Sequence, residues 1–229
     1  MPRAFAEIAF TPAVRAVQAR RGSAAGQAGL LAPEAAAADR IGPEEAVFIA
    51  RRDGFHQASV SQTGWPYVQF RGGPRGFLRV IDPKTLGYAD LRGNRQYLSA
   101  GNLGGDDRVS LILMDYANRR RLKIWGRARL IEAAEDPALV AELHMERPRA
   151  RPERAVLIAV EALDWNCPQH IPMRLTEDEF DDVLAPLRVE MDALRAENAR
   201  LRAALDETGA GAGRAAADGA GAGAGDGAT

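Results

Sequence analysis

The stretch RRRLKIWGRARLIE, Arg119–Glu132, decides how the chain is read. Within it, Leu122 and Ile124 fall on one side and Lys123 and Trp125 on the other. A period of two marks a strand with one buried face, because successive side chains of an extended backbone point to opposite sides. Similar short apolar runs fill residues 54–132: FHQASVS, PYVQF, GFLRVI, TLGYAD and RVSLILMDY, with Gly, Pro, Asn and Asp between them. AVLIAVEALDW at 155–165 is a further strand. Length and spacing read as antiparallel strands. Helical pattern intrudes at PEEAVFIARRD, GNRQYLSAGNL and EDPALVAELH. The expectation is a mainly β fold, a small barrel with flanking helices.

Composition narrows the function classes. Of 229 residues 46% are apolar, enough to bury a core. Basic and acidic residues number 30 and 31, which argues against a general polyanion binder, so no nucleic-acid partner is expected. No apolar run approaches the roughly 20 residues that span a bilayer, so no membrane partner is expected. The single cysteine, Cys167, makes no internal disulfide, and His56, His144 and His170 lack ligand spacing, so no metal is expected. MPRAFAEIAFTPAVRAVQARR has charges inside its apolar stretch and no signal-type core. A cytoplasmic protein is expected.

Four segments follow. Residues 1–40 read as a short helix near 12–21 and a loose Ala/Gly-rich connection. Residues 41–176 hold the barrel, 177–208 a heptad helix, and 209–229 a disordered Gly/Ala tail. In the helix, Leu184, Leu187, Met191, Leu194, Asn198, Leu201 and Leu205 are spaced 3, 4, 3, 4, 3, 4, a coiled-coil seam with Leu at d and one Asn at a. Glu190 and Glu197 fall at g, Arg195 and Arg202 at e. The bland alternative is an amphipathic helix lying on its own domain. Pro186 predicts that the continuous helix starts there.

Three stretches carry chemistry. DLRGNRQYLSAGN, Asp90–Asn102, carries Arg92, Asn94, Arg95, Gln96 and Ser99, with a Gly-containing turn that opens a helix. Such a turn offers free backbone N–H groups to an anion, and arginines add charge-assisted bonds. A solvated polar turn with capping residues reads equally well. In GWPYVQFRGGPRG, Gln69 and Arg71 share a strand face, and glycines then let backbone approach a ligand. The triple arginine 119–121 reads as a solvated strand entrance.

In this order, residues 41–175 resemble the pyridoxamine 5′-phosphate oxidase family of FMN-binding split barrels. The resemblance rests on the Gly-Trp-Pro-Tyr turn, Tyr-x-Asp followed by Asn94-Arg95-Gln96, RVSLILM, and the Arg-Arg-x-x-x-x-Gly strand. GWPYVQFRGGP, GNRQYLSAGNL and WNCPQHI are similar to a bacterial subgroup of oxidase-related FMN-binding proteins. It implies a homodimer with FMN at the subunit interface. Asn94, Arg95 and Gln96 fall where the family grips the flavin phosphate. Gln69 falls on its phosphate-binding strand, with Phe70 and Arg71 running along the flavin. Tyr88 and Ala89 fall where backbone nears the ring, and Arg121 where a glutamine arrives from the neighbouring subunit. Two departures set the substrate aside. Pro74 stands where the true oxidases carry lysine, and Met173-Arg174-Leu175-Thr176 replaces their Arg-Leu-x-Pro substrate motif.

WNCPQHIP, Trp165–Pro172, raises a catalytic Cys/His pair, half a metal site, or a pocket wall. Nothing places positive charge against Cys167, and a lone cysteine behaves as a small hydrophobe. The resemblance makes Trp165, Asn166, Gln169 and His170 a wall of the flavin pocket, with His170 either a proton donor or a structural imidazole. The expected function is an FMN-dependent oxidoreductase of unassigned small-molecule substrate. The alternative is a non-catalytic flavin-binding sensor, scavenger or scaffold that recruits a partner through its C-terminal helix. A barrel holding deazaflavin or haem is a third option.

Overall fold

A computed structural model describes residues 3–145, 151–165 and 168–220, with side chains of the last helix up to 205. The chain forms two compact units, Met1–Met173 and Arg174–Thr229. The first holds seven strands: β1 (Gly54–Val60), β2 (Pro66–Gly72), β3 (Arg79–Asp82), β4 (Thr85–Leu91), β5 (Arg108–Asp115), β6 (Arg120–Glu132) and β7 (Pro152–Trp165). They make one antiparallel sheet in the order β2-β1-β5-β6-β7-β4-β3.

The alternation in the sequence is the alternation of burial. Val109, Leu111 and Leu113 of β5, Leu122 and Ile124 of β6, and Phe55 of β1 all turn into the core. The register slips once between β6 and β7, where Trp125 pairs with Ala162 and Gly126 with Val160. Gly126 is required there, because a Cβ would strike the backbone oxygen of Ala159.

The sheet curls until its two ends face each other. Strands β5, β6 and β7 separate β1 from β4 in the sheet. Yet the Tyr88 hydroxyl on β4 donates to Gln57 Oε1 on β1 at 2.7 Å. Arg71 on β2 reaches Asp90 on β4 at 2.6 Å. No backbone ladder joins these strands among the described residues, so side chains bridge the seam of an open barrel.

Helices plug and flank the barrel. In α4, Pro43–Ala50, Pro43 opens the first turn and Glu45 Oε2 accepts the Gly42 N–H, leaving Phe48 and Ile49 for the core. α5 spans Leu98–Gly105. α6, Pro137–Leu143, is capped by Asp136 and packs Val140 and Leu143 on Ile131 and Ala155.

The N-terminal 40 residues differ from a loose connection. α1 (Ala4–Ala9) sets Phe5 against Trp125 at 4.6 Å, and Arg3 meets Asp164 at 3.5 Å. α2 (Pro12–Arg20) is capped by Thr11. A short α3 (Ala24–Gln27) and a 3-10 turn follow. Asp39 then pairs with Lys84 at 2.7 Å, and the Ala38 oxygen accepts from the Leu163 N–H. The hydrogen bond from Lys84 holds the Asp39 carboxyl below its usual value. Short-range caps plus these pairings order a segment whose composition alone offers little to bury.

The second unit carries α7, Glu177–Ala220, with Pro186 inside it. It begins before Pro186 and continues past 208, unlike the expected start and the expected tail. Alanine is the strongest helix former, and the tail is rich in it. Pro186 forfeits one backbone bond, which a long helix tolerates at a local cost. Among the described residues no helix is long and apolar enough to cross a membrane.

Candidate functional site

Two adjoining cavities lie along the barrel seam. One, of about 180 Å³, is lined by Gln69–Pro74 of the β2 end, Phe77, Tyr88–Leu91, Gly93 and Leu143–Met145. The other, of about 300 Å³, is lined by Tyr67, Gln69, Arg71, Asp90–Tyr97 and the start of α5. They share Gln69, Arg71, Asp90, Leu91 and Gly93, so they form one cleft with an apolar end and a polar end.

The polar end is a backbone device. Gly93, Arg95 and Tyr97 have φ of 47°, 65° and 54°, while Asn94 and Gln96 between them do not. Alternating the sign of φ turns successive N–H groups toward one concave side, an anion-binding arrangement. Left-handed Arg and Tyr are strained at roughly 1–3 kcal/mol each, and such strain gathers at binding sites. Asn94 Oδ1 accepts the Gln96 N–H, and the two side-chain amides bond each other at 3.2 Å, which fixes the turn. No side chain caps α5, so its first N–H groups remain available. Arg95 is exposed and has no ion pair or hydrogen bond among the described residues.

A chain of charges supports this turn. Asp90 accepts from Arg71 Nη1 at 2.6 Å and lies 3.7 Å from Arg154 Nε. Arg154 meets Glu153 at 3.3 Å, and Glu153 meets Arg92 at 3.4 Å. The Tyr97 hydroxyl donates to Glu153, and Arg154 lies over the Tyr97 ring. The turn is thereby tied to β2, β4 and β7. Arg71 Nε is buried and lacks a hydrogen-bond partner among the described residues. A buried donor left this way wants an acceptor in the cleft.

The apolar end is walled by Tyr88, Phe77, Leu143 and Met145. Burial, with the Asp90 charge nearby, raises the Tyr88 phenol far above its usual value, against the opposing charge of Arg71. Tyr88 is therefore a neutral donor to Gln57, holding the seam rather than exchanging protons.

Of the residues singled out through the family resemblance, Gln69, Phe70, Arg71, Tyr88, Ala89, Asn94, Arg95 and Gln96 line the cleft. Gln69 accepts from the Ser99 hydroxyl at 2.7 Å. The Phe70 ring lies on the outer face of β2, edge-on to His56 at 5.3 Å. Arg121, Trp165, Gln169 and His170 are not brought to this cleft. Arg121 is half-buried on β6. Trp165 donates to Glu45 at 2.8 Å and packs edge-on against Phe48. Gln169 and His170 are exposed on a 3-10 turn, Pro168–His170. Asn166 lies outside the described residues, as does Cys167.

Sequence reasoning named Ser99 in the polar stretch but missed Asp90 and His144 as site residues. Of the three histidines only His144, half-buried at the end of α6, lines the cleft. It reads as an ordinary helix-end residue until α6 is docked on the sheet. Asp90 carried a signal: a strand arginine at the barrel mouth needs a nearby counter-charge. Among the described residues no group of acids, histidines and cysteines could hold a metal.

Residues 41–166 match the family described as pyridoxamine 5′-phosphate oxidase. No protein of curated function matches the sequence. Among solved structures, HupZ from Group A Streptococcus is 18% identical, covering 54% of this chain and 91% of that one, with a TM-score of 0.42. An FMN-binding protein from Syntrophomonas wolfei is 8% identical over 53% of this chain and 82% of its own, TM-score 0.43. An F420 reductase is 20% identical over 54% and 98%, TM-score 0.39. With more than half of its length matched, from the N-cap region of α4 to the end of β7, the chain belongs to the pyridoxamine 5′-phosphate oxidase family.

Proposed function

We propose that the chain binds FMN, works as a homodimer with flavin at the subunit interface, and is an oxidoreductase acting on a small molecule. The observation that carries this reading is the division of the cleft. An anion-type turn with the unengaged Arg95 adjoins a pocket walled by aromatic and aliphatic side chains. A cofactor with a phosphate at one end and a planar ring system at the other matches that division. Asn94–Leu98 and Arg95 would hold the phosphate, and Arg71 and Gln69 the polar middle. Tyr88, Ala89 and Met145 would flank the ring. When bound, FMN supplies the exchange of a hydride equivalent, while the protein orients and tunes it. His144 is the imidazole on this wall, placed to hold or release a proton.

Dimerisation is supported by what one chain leaves open. At the polar end of the cleft Asn94, Arg95, Gln96 and Tyr97 are exposed in the single chain. On and next to β2, Trp65, Val68 and Phe70 stand exposed at 75%, 59% and 60%. Such a row marks an interaction surface. A second copy is assigned to this surface, and this reading gives Arg121, Gln169 and His170 to the cleft of that copy.

The test is the absorption spectrum of the purified protein, before and after heat release, with mass identification of the ligand. Stoichiometric FMN is expected. Arg95→Ala should weaken FMN binding by about tenfold or more, the loss of one charge-assisted bond. Unchanged affinity would place the phosphate elsewhere, and failure to bind added FMN would sink the reading. Bound flavin without turnover across donors and acceptors would favour a sensor or scaffold.

A further inference from the structure

The apolar seam of α7 faces solvent. Leu187, Met191, Leu194 and Leu201 are exposed at 53%, 50%, 63% and 51%. A surface helix normally buries its apolar stripe, and a stripe confined to a and d is the narrow seam of a coiled coil. Among the described residues the charges beside it reach no further than their own helix, Arg188 meeting Asp181 at 3.0 Å. Glu190 and Arg202 have no ion-pair or hydrogen-bond partner among the described residues. Arg195 and Glu197 meet only neighbours on their own helix, Asp192 and Arg200.

We infer that α7 pairs with α7 of a second copy as a parallel, in-register, two-stranded coiled coil. The distribution of charge selects both partner and direction. All three e positions, Arg188, Arg195 and Arg202, are arginine, while Glu190 and Glu197 occupy g. In a parallel pair g faces e of the other helix, so Glu190 meets Arg195 and Glu197 meets Arg202. In an antiparallel pair e faces e and g faces g, which sets arginine against arginine and glutamate against glutamate. The second copy therefore satisfies the helix in one direction only.

Packing agrees. A groove along the seam is lined by Met191, Leu194, Arg195, Asn198, Ala199 and Arg202. Four of these, at successive a, d, e and a, form the hole that receives a d-position knob of a parallel neighbour, here Leu194 of the second copy. Asn198 at a faces its own copy only in register, which discourages slippage. Pro186 falls at c, on the outside, so it does not obstruct the seam that follows it. About three heptads is short for independent association. A coil of this length works best when another contact raises the effective concentration of its strands. The coil itself does not depend on flavin binding.

Directional cross-linking of the full chain tests this. In a Cys167→Ser background, Leu201→Cys places a thiol at d, and Ala203→Cys places one at f, facing away. Mild oxidation should link copies through position 201 and leave position 203 unlinked. Glu190→Arg with Glu197→Arg should cut linkage at 201 by about tenfold or more, through several like-charge contacts at once. Adding Arg195→Glu with Arg202→Glu should restore it, since g and e are then complementary again. These surface changes spare the barrel, whose folding is checked by tryptophan fluorescence. No linkage at 201 in a folded chain, or loss without rescue by the double exchange, would overturn the inference. Both outcomes are read without any flavin and leave the cofactor assignment untouched.

Discussion

In β5, Val109, Leu111 and Leu113 turn inward and are almost wholly buried; in α7, Leu187, Met191 and Leu194 are at least half exposed. Both segments place apolar residues at a strict period. The barrel closes that period against its own strands, because the sheet curls and every inward residue finds another. The helix has only a stripe, and a stripe on one straight helix has nothing on that helix to meet. The same patterning thus yields a self-sufficient core in one region and an interaction surface in the other.

The largest way to sharpen this contrast is Leu111→Ala. The residue is fully buried in the main cluster, so its loss removes transfer energy and leaves a cavity. A destabilisation of about 2–5 kcal/mol is expected in denaturant unfolding followed by tryptophan fluorescence. All three tryptophans, Trp65, Trp125 and Trp165, belong to the first unit, so the signal reports the barrel. A loss below about 1 kcal/mol would mean that the interior is not packed as described.

Tyr88→Phe probes the seam and should cost less, about 1–3 kcal/mol, because it strands the amide of Gln57 in the core. It also has a pH signature. The folded phenol keeps its proton above its usual value of 10, while the unfolded phenol loses it near 10. The folded state then binds more protons, so stability is complete below about pH 10 and falls as pH rises beyond it. Tyr88→Phe should remove that alkaline loss. An identical alkaline slope in both proteins would assign it to other groups.

Much of the barrel is legible in the sequence for a simple reason. Strands such as Arg108–Asp115 and Arg120–Glu132 write their buried face at every second residue. The turn at Asn94–Gln96 is legible as a basic, polar turn from Gly93, Asn94 and Arg95, but the left-handed Arg95 and Tyr97 that shape it are not, because neither residue type favours that conformation. What stays hidden depends on curvature. Asp90 is nineteen positions from Arg71, and Gln57 thirty-one from Tyr88. Neither pair is visible until the two ends of the sheet meet. His144 is hidden for the same reason, since only the docking of α6 on β4 and β7 brings it to the cleft. Trp165 shows the converse: its place at the head of WNCPQHIP suggests a pocket wall, but its N–H reaches Glu45, 120 positions away. In α7 the seam is plain from spacing, whereas helix beyond 208 is not, because alanine and glycine alternate there with opposed propensities.

Leu194→Ala has the smallest expected effect on the barrel and the clearest bearing on the contrast. An exposed leucine on a separate unit should shift the fluorescence transition by no more than about 0.5 kcal/mol. Far-UV circular dichroism, dominated by the 44-residue α7, should behave differently. If Leu194 is the knob of a coil between copies, its truncation lowers the helical transition, and dilution lowers it further, because association is part of that transition. The two probes then separate in the variant more than in the parent chain. If instead α7 were covered by the barrel of its own chain, Leu194→Ala would move both probes together and dilution would move neither. The pattern of coincidence thus distinguishes a helix completed from outside from one completed at home.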